Sequence, residues 1–256
     1  MRGGPELTGP VEDYLKVIYD LERTGHPAGT NEIAAALQLS AASVSGMFRR
    51  LAEQGLIDHE PYRGARLTPA GRKAALRTLR RHRVIEAYLA QALGYPWDRV
   101  HDEAERLEHA ASDELIDRMA AAIGEPATDP HGAPIPARDG TVDERPLASL
   151  DDLAAGADAI VARVADEDSS RLRYLAELGI VPGAAVRVVE RAPFEGPIAV
   201  RVANREHRIG PALARHVLVT PATGRPSRHA PADRAAGARG PGHARPRART
   251  GRANDR

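Results

Sequence analysis

The sequence predicts a mainly α-helical protein with a small C-terminal β-barrel, and two observations support this prediction. Apolar residues recur at helical spacing in segments that extend to about residue 123. Between residues 150 and 220 they instead form short runs rich in β-branched residues, separated by glycine turns. Several short strands of this kind are typical of a small closed barrel. We therefore expect helices in the first half of the chain and strands in the second.

Composition limits the class of protein. The 256 residues include no cysteine, which excludes thiolate metal ligands, cysteine nucleophiles and disulfides. The chain has no apolar run of 18 residues and no secretory signal, so we expect a cytoplasmic protein that does not enter a membrane. Residues 221–256 carry nine arginines and two aspartates, which leaves 27 basic and 33 acidic residues before them. We expect an acidic folded part and a disordered basic tail.

The N-terminal elements have the order of a DNA-binding module. A helix is expected over residues 11–23, and Thr30 and Ser40 can each cap a short amphipathic helix. Gly55 ends the second of these helices, and two short strands bracket a turn at residues 61–64. Helix, turn, helix and hairpin in succession form a winged helix-turn-helix.

The second short helix of this module is expected to recognise DNA. Its N-terminal part carries small side chains, which can touch thymine methyl groups or make single hydrogen bonds to bases. Arginines on this helix and on the hairpin are well placed to contact DNA phosphates, although any one of them could instead be a surface residue that keeps the protein soluble. Without a side chain that reads a base through two hydrogen bonds, specificity is expected from DNA shape and two half-sites. The residues expected at the DNA are Ser40, Ala42, Ser43, Ser45, Arg49, Arg50, Arg63 and Arg66.

The central helices carry a concentration of metal-ligand side chains. Thr68 and Pro69 begin a long helix to about residue 93, and two further helices follow over residues 100–109 and 113–123. Four ligand-type side chains of the middle helix share an arc of roughly 100–120° beside its apolar face. Because buried charges need pairing or a metal, this pattern favours a divalent-metal site between helices over a solvated charged face. The residues are His101, Glu105, Glu108 and His109, with His82 and Glu86 one turn apart on the preceding helix.

Three stretches carry a family resemblance. Residues 11–19 read VEDYLKVIY, residues 100–109 read VHDEAERLEH, and residues 129–136 read DPHGAPIP. They resemble the diphtheria toxin repressor family of metal-dependent transcription regulators, and the resemblance covers about residues 8–220. It implies a homodimer that binds double-stranded DNA operators and represses genes of metal-ion homeostasis. It also implies that the barrel is an SH3-like, FeoA-type domain and that no organic cofactor is needed.

The resemblance and the periodicity together predict six segments. They are a disordered leader (1–10), a winged helix-turn-helix domain (11–76), a helical metal-binding and dimerisation domain (77–137), a linker (138–149), the SH3-like domain (150–220) and a disordered Arg-rich tail (221–256).

The resemblance also implies two metal sites. The family's primary, activating site corresponds to Asp13, Glu105, Glu108 and His109. Its ancillary site corresponds to His82, Glu86 and His101. In three-domain members the barrel can donate a carboxylate and an amide to the ancillary site, and these positions fall on Asp168 and on Arg171, which cannot be a ligand. Four other histidines have no acid partner at ligand spacing and are expected to be structural or at the surface: His59, His131, His207 and His216.

Two positions favour manganese over iron. Where the family's iron-sensing branch carries a methionine and a cysteine, this chain has Asp13 and Glu105. Carboxylates suit Mn²⁺, whereas sulfur suits iron-like ions, so Mn²⁺ is the expected co-repressor and Fe²⁺ the alternative. Lys16 stands where two-domain manganese sensors carry a second acid. We therefore expect two separated sites rather than one paired binuclear site.

Two other classes of protein compete with this interpretation. A cluster of histidines and glutamates could activate water in a metal-dependent hydrolase. However, no nearby residue reads as a separate general base, and the winged module would be unexplained. A regulator that senses an organic ligand would show no metal dependence of its DNA binding. We therefore expect a DNA-binding regulator and not an enzyme.

Overall fold

The N-terminal elements follow the predicted order. In this computed structural model, which describes residues 7–23, 25–60, 63–143, 145–165 and 168–222, they are α1 (Gly9–Glu22), α2 (Thr30–Ala36), α3 (Ala41–Glu53), β1 (Ile57–Glu60) and β2 (Gly64–Leu67). The two strands form an antiparallel hairpin. Residues 1–6 of the expected leader and 223–256 of the expected tail lie outside the described residues.

Local capping explains where the two short helices begin. Ser40 Oγ accepts a hydrogen bond of 3.1 Å from Ser43 N, which confirms Ser40 as the cap of α3. The expectation for Thr30 was wrong, because Gly29 precedes the first helical residue and no side chain caps α2. Instead, Glu32 reaches back and accepts from Gly29 N at 2.9 Å. The winged helix-turn-helix order is therefore present.

Three helices form the central part. They are α4 (Pro69–Leu93), α5 (Val100–Leu107) and α6 (Asp113–Ala122). Thr68 Oγ1 accepts from Gly71 N at 3.1 Å, and Gly94 ends α4 in the left-handed conformation, as the sequence predicts. The 25-residue α4 packs against α1, α5 and α6. None of the helices in the described part has both the length and the hydrophobicity of a membrane span.

Two hydrophobic clusters hold these helices. In the first, α1 contributes Leu15 and Ile18, and α3 contributes Phe48 and Leu51. The second lies between α4, α5 and α6 and includes Ile85. Each large side chain in these clusters contributes about 1.5–3 kcal/mol by complete burial. The helices α1 and α3 therefore share one core.

The C-terminal part is a six-stranded antiparallel sheet. Its strands are β3 (Ala148–Ser149), β4 (Asp158–Val164), β5 (Ala185–Arg191), β6 (Ile198–Val202), β7 (Arg205–Ile209) and β8 (Val217–Pro221), in the order β3-β8-β4-β5-β6-β7. A short 3-10 helix (Leu150–Asp152), α7 (Ser169–Glu177) and α8 (Pro211–Ala214) accompany it. The apolar faces of the strands enclose a separate core.

The sheet is open, so the expectation of a closed barrel was wrong. Within the described residues the edge strands β3 and β7 do not pair with each other. Shifts in register within β4 and β5 bend the sheet, but β3 offers only two residues for further pairing. Runs of valine and isoleucine reveal individual strands, whereas closure depends on whether the two edges meet.

A loop between α6 and β3 is fastened to the sheet. Val164 N in β4 donates a hydrogen bond of 2.8 Å to His131 O. Gly132 has a φ of +86°, and a Cβ atom there would lie 2.1 Å from Ala162 O in β4. Only glycine fits this close approach at a left-handed φ. The loop therefore has a fixed position, which brings Asp129 and His131 against α4.

Candidate metal centre

Three of the four expected primary ligands converge. Asp13 lies on α1, while Glu108 and His109 directly follow α5. His109 Nε2 is 2.9 Å from Asp13 Oδ1 and 3.5 Å from Glu108 Oε1. Each of the three residues can offer one ligand atom within 4.8 Å of the others.

The geometry of Asp13 fits a cation. Its Oδ1 is buried and lies 2.9 Å from His109 Nε2, although that contact does not have the geometry of a hydrogen bond. Burial raises the pKa of Asp13, and this effect outweighs the opposing charges of His109 and Lys16. A buried carboxylate is costly unless a positive charge lies beside it, and a cation held by Asp13 and His109 together would supply that charge. Oxygen and imidazole donors at this spacing suit a divalent ion.

Glu105, the fourth expected primary ligand, has different neighbours. Its Oε1 is 2.5 Å from Lys16 Nζ and 3.6 Å from His82 Nδ1. It belongs with His82 and Glu108 to a second group of possible ligands. The structure therefore places Glu105 beside the Asp13–Glu108–His109 group rather than within it.

The three expected ancillary ligands also come together. His82 Nε2 is 3.1 Å from Glu86 Oε1 and 3.1 Å from His101 Nδ1. His101 Nδ1 is 3.6 Å from Glu86 Oε1, and Glu86 is only 2% exposed. His82 Nδ1 donates to Glu108 Oε2 at 2.6 Å, so this residue joins the two groups.

Sequence reasoning missed Asp129 and His131. His131 Nδ1 lies 3.8 Å from Glu86 Oε1 and 4.0 Å from Asp129 Oδ1, and all three residues are buried. The expectation that His131 has no acid partner was therefore wrong, because its partners come from a distant helix and from its own loop. The stretch over residues 129–136 already carried the family resemblance, and that was the available signal.

Asp168 has a local role in the structure. Its Oδ1 accepts hydrogen bonds from Ser170 N at 2.8 Å and Arg171 N at 3.2 Å, which caps α7. A hydrogen bond from the Ser170 hydroxyl, together with these two backbone bonds, lowers the pKa of Asp168. Among the described residues it is in none of the groups with ligand spacing. Its expected part in the ancillary site stays a prediction.

Hydrogen bonds between the two groups set their charges. Burial would lower the pKa of His82, but its bonds to Glu108 and Glu86 raise it to about 10. Burial would likewise raise the pKa values of Glu86 and Glu108. Three histidines lower that of Glu86, and His82 together with Lys16 lowers that of Glu108. The centre therefore contains ionised acids that are held by positively charged partners.

The sides of the centre are built from several elements. A cavity of about 430 Å³ opens beside the ancillary group. Its lining comes from α1, α4, α5, the loop at 129–133 and β4, and includes Lys16, His82, Glu86, His101, Asp129, His131 and Arg163.

Seven of the eight expected DNA-binding residues are exposed. Ser40, Ala42, Ser43, Arg49, Arg50, Arg63 and Arg66 are all exposed. Ser45 is partly buried, and its hydroxyl donates to Ala41 O at 2.9 Å. Arg63 pairs with Glu60 at 3.1 Å. The positions are compatible with contacts to DNA, which remain a prediction for each residue.

Comparisons with known proteins cover the same parts of the chain. Residues 6–65 match the N-terminal DNA-binding domain of iron-dependent repressors, residues 68–137 their metal-binding and dimerisation domain, and residues 148–221 the FeoA domain. The iron-dependent repressor IdeR of Mycobacterium tuberculosis is 35% identical over 203 residues, which are 75% of this chain and 88% of that protein. The diphtheria toxin repressor of Corynebacterium glutamicum is 31% identical over 80% of this chain and 88% of its own length. A manganese-dependent transcriptional repressor in complex with manganese is 41% identical, with a TM-score of 0.77, over 83% of this chain and 100% of its own.

Proposed function

The chain belongs to the diphtheria toxin repressor family of metal-dependent transcriptional repressors, and on this premise we propose that it is activated by Mn²⁺. The proposed repressor binds palindromic operators as a homodimer and controls metal-ion homeostasis. The match to a DNA-binding domain supports DNA as a partner, and the match to a dimerisation domain supports a second copy of the chain.

The donor atoms of the centre carry the proposal for manganese. Among the described residues, the groups of carboxylates and imidazoles with ligand spacing consist of aspartate, glutamate and histidine. The chain has no cysteine. Oxygen and imidazole donors suit Mn²⁺, whereas sulfur donors favour softer ions. A similar protein of known structure is described as manganese-dependent, which agrees with this choice.

The position of Asp13 explains how metal would control DNA binding. A bound divalent cation would supply the positive charge that lets Asp13 and Glu108 stay close together. Asp13 would then tie α1 to the turn after α5. Since α1 shares its core with α3, this tie would fix the recognition helix relative to the rest of the protomer. A ligand with different affinity for two conformations acts as a switch.

The DNA would be bound by α3 and the hairpin. In a homodimer two copies of α3 would face two half-sites, which is why the operators are proposed to be palindromic. Arg49, Arg50, Arg63 and Arg66 would contact phosphates, and the small residues from Ser40 onward would approach bases.

The proposal is tested by DNA binding in the presence of chelator, Mn²⁺, Fe²⁺ or Zn²⁺. The DNA is the protein's own upstream region and promoters of manganese transporters. Tight binding is expected with Mn²⁺, and weak binding with chelator or in the variants D13A and E108A. E114A is a matched control, because Glu114 pairs with Arg118 on an exposed part of α6. Equal binding with and without metal would contradict a metal switch.

An iron-dependent repressor is the second candidate. The relatives from Mycobacterium are described as iron-dependent, which favours this alternative. The exchange D13M with E105C would place sulfur donors at both discriminating positions and should strengthen the response to Fe²⁺ at the expense of Mn²⁺. If the double variant keeps the metal preference of the wild type, the argument from donor atoms is wrong.

A further inference from the structure

Lys16 puts a positive charge inside the metal centre. It lies three residues after Asp13 on α1, so the two side chains share one side of the helix. Lys16 Nζ is 2.5 Å from Glu105 Oε1 and 2.9 Å from Glu108 Oε1. The side chain of Lys16 is 13% exposed and that of Glu108 is fully buried. The ammonium therefore occupies a cation position between the two acids.

Lys16 and the primary group share one oxygen atom. Glu108 Oε1, which accepts from Lys16, is also the atom that lies 3.5 Å from His109 Nε2. The other oxygen of Glu108 accepts from His82. Both oxygens of Glu108 therefore have partners within the protein. A cation held by Asp13, Glu108 and His109 must draw on Oε1 in competition with the ammonium.

Lys16 also determines where Glu105 lies. The carboxylate of Glu105 pairs with the ammonium and stays outside the Asp13–Glu108–His109 group. The Lys16 ammonium is therefore the cation that faces both carboxylates.

From these contacts we propose that Lys16 sets the metal concentration at which the repressor responds, because its ammonium competes for Glu108 and holds Glu105 out of the primary ligand set. This inference rests on the proposed function, since it concerns the same centre. Like charges a few ångströms apart in a partly buried site repel strongly, so removal of the ammonium should raise Mn²⁺ affinity by roughly tenfold or more.

Two substitutions separate the charge of Lys16 from its size. The full-length wild type, K16M and K16R are titrated with Mn²⁺ against a fluorescent chelator. K16M should bind Mn²⁺ at least about tenfold more tightly, because methionine keeps the length and loses the charge. The Tm of K16M without added metal should fall, because Glu105 and Glu108 lose their counter-charge. K16R should bind like the wild type.

Three outcomes would overturn the inference. The first is that K16M binds Mn²⁺ no more tightly than the wild type does. The second is that K16R binds Mn²⁺ as tightly as K16M. The third is that the wild type binds no Mn²⁺, and this result would overturn the proposed function as well. If K16M folds only with metal, it is purified with Mn²⁺ and metal release to excess chelator is timed. Slower release than from the wild type is expected, and equal or faster release would contradict the proposal. A wild type with Mn²⁺-dependent DNA binding beside an unchanged K16M would leave the proposed function standing.

Discussion

Glu12 determines which nitrogen of His109 faces the centre. Its Oε2 accepts a hydrogen bond of 2.8 Å from His109 Nδ1, and its Oε1 accepts one of 3.1 Å from Arg81. His109 Nε2 is thereby directed towards Asp13. Carboxylates that hold the outer nitrogen of a ligating histidine fix its tautomer and raise its basicity. Glu12 is therefore a positioning residue for the proposed primary site.

The substitution E12Q should weaken Mn²⁺ binding by roughly 10- to 100-fold, the usual effect of losing such a partner. The amide keeps the shape of the side chain but can no longer stabilise the imidazole by charge. Mn²⁺ affinity is measured by competition with a chelator, and far-UV circular dichroism checks the fold. E114Q on an exposed part of α6 is the control for removal of an acid. Unchanged affinity in E12Q would show that its contact with His109 is only structural.

His82 couples metal binding to pH. Hydrogen bonds to Glu108 and Glu86 raise its pKa to about 10, so it carries a proton at pH 7 that a metal ligand must lose. Binding of Mn²⁺ at pH 7 should therefore release protons, and its affinity should increase as the pH rises from 6 to 9. The protonated His82 also stabilises the fold when no metal is added, and this contribution to the free energy of unfolding has the opposite trend. It is complete at a pH below the pKa that His82 has in the unfolded chain, and it is lost as the pH rises through about 10.

Calorimetric titration of Mn²⁺ in buffers with different ionisation enthalpies measures the protons released. The apparent enthalpy should depend on the buffer in the wild type. An H82N variant should release fewer protons, because asparagine carries none. An enthalpy that is the same in all buffers would contradict the linkage between His82 and the metal.

At the scale of elements, the sequence predicts those that have local start and stop signals. The bounds of α4 follow from Thr68 with Pro69 at one end and Gly94 at the other. The runs of β-branched residues correspond to β4, β5 and β6. They do not indicate β3, which has only two residues, or β7 (Arg205–Ile209), which is mostly charged, and the five residues of β8 (Val217–Pro221) were not assigned to a strand. Their pairing comes from neighbouring strands, which a local pattern does not record.

The loop that carries Asp129 and His131 depends on Gly132. In G132A a Cβ would lie 2.1 Å from Ala162 O, and the residue would have to keep a φ of +86°. We expect a loss of about 1–3 kcal/mol or more in the free energy of unfolding, together with weaker metal binding beside Glu86. Chemical denaturation and Mn²⁺ titration measure the two effects.

Gly156 provides a matched control for this substitution. Its φ is +87°, and a Cβ there meets nothing within 4 Å. G156A therefore shows the cost of the backbone conformation alone, and G132A should be more destabilised and should alone lose metal affinity. Equal effects of the two substitutions would show that the contact with β4 does not hold the loop.

At the scale of the whole molecule, the centre lies where distant parts of the chain meet. Helical spacing predicts that His82 with Glu86 and His101 with Glu105 and His109 share helix sides, and the family resemblance adds Asp13. Two features could not be predicted in this way. Lys16 takes Glu105 as a partner 89 residues away, and His131 reaches Glu86 only because Gly132 fastens its loop to β4. Both depend on packing between elements.

If metal fixes the orientation of α3, the DNA must affect the metal in return. Two ligands that favour the same conformation raise each other's affinity by the same factor, typically about 5- to 150-fold. Mn²⁺ titrations with and without saturating operator DNA should therefore give an affinity ratio equal to the ratio of DNA affinities with and without Mn²⁺. DNA of the same length and a scrambled sequence is the control for non-specific charge effects. An operator that leaves Mn²⁺ affinity unchanged would mean that α1 does not connect the centre to the recognition helix, even if both sites bind their ligands.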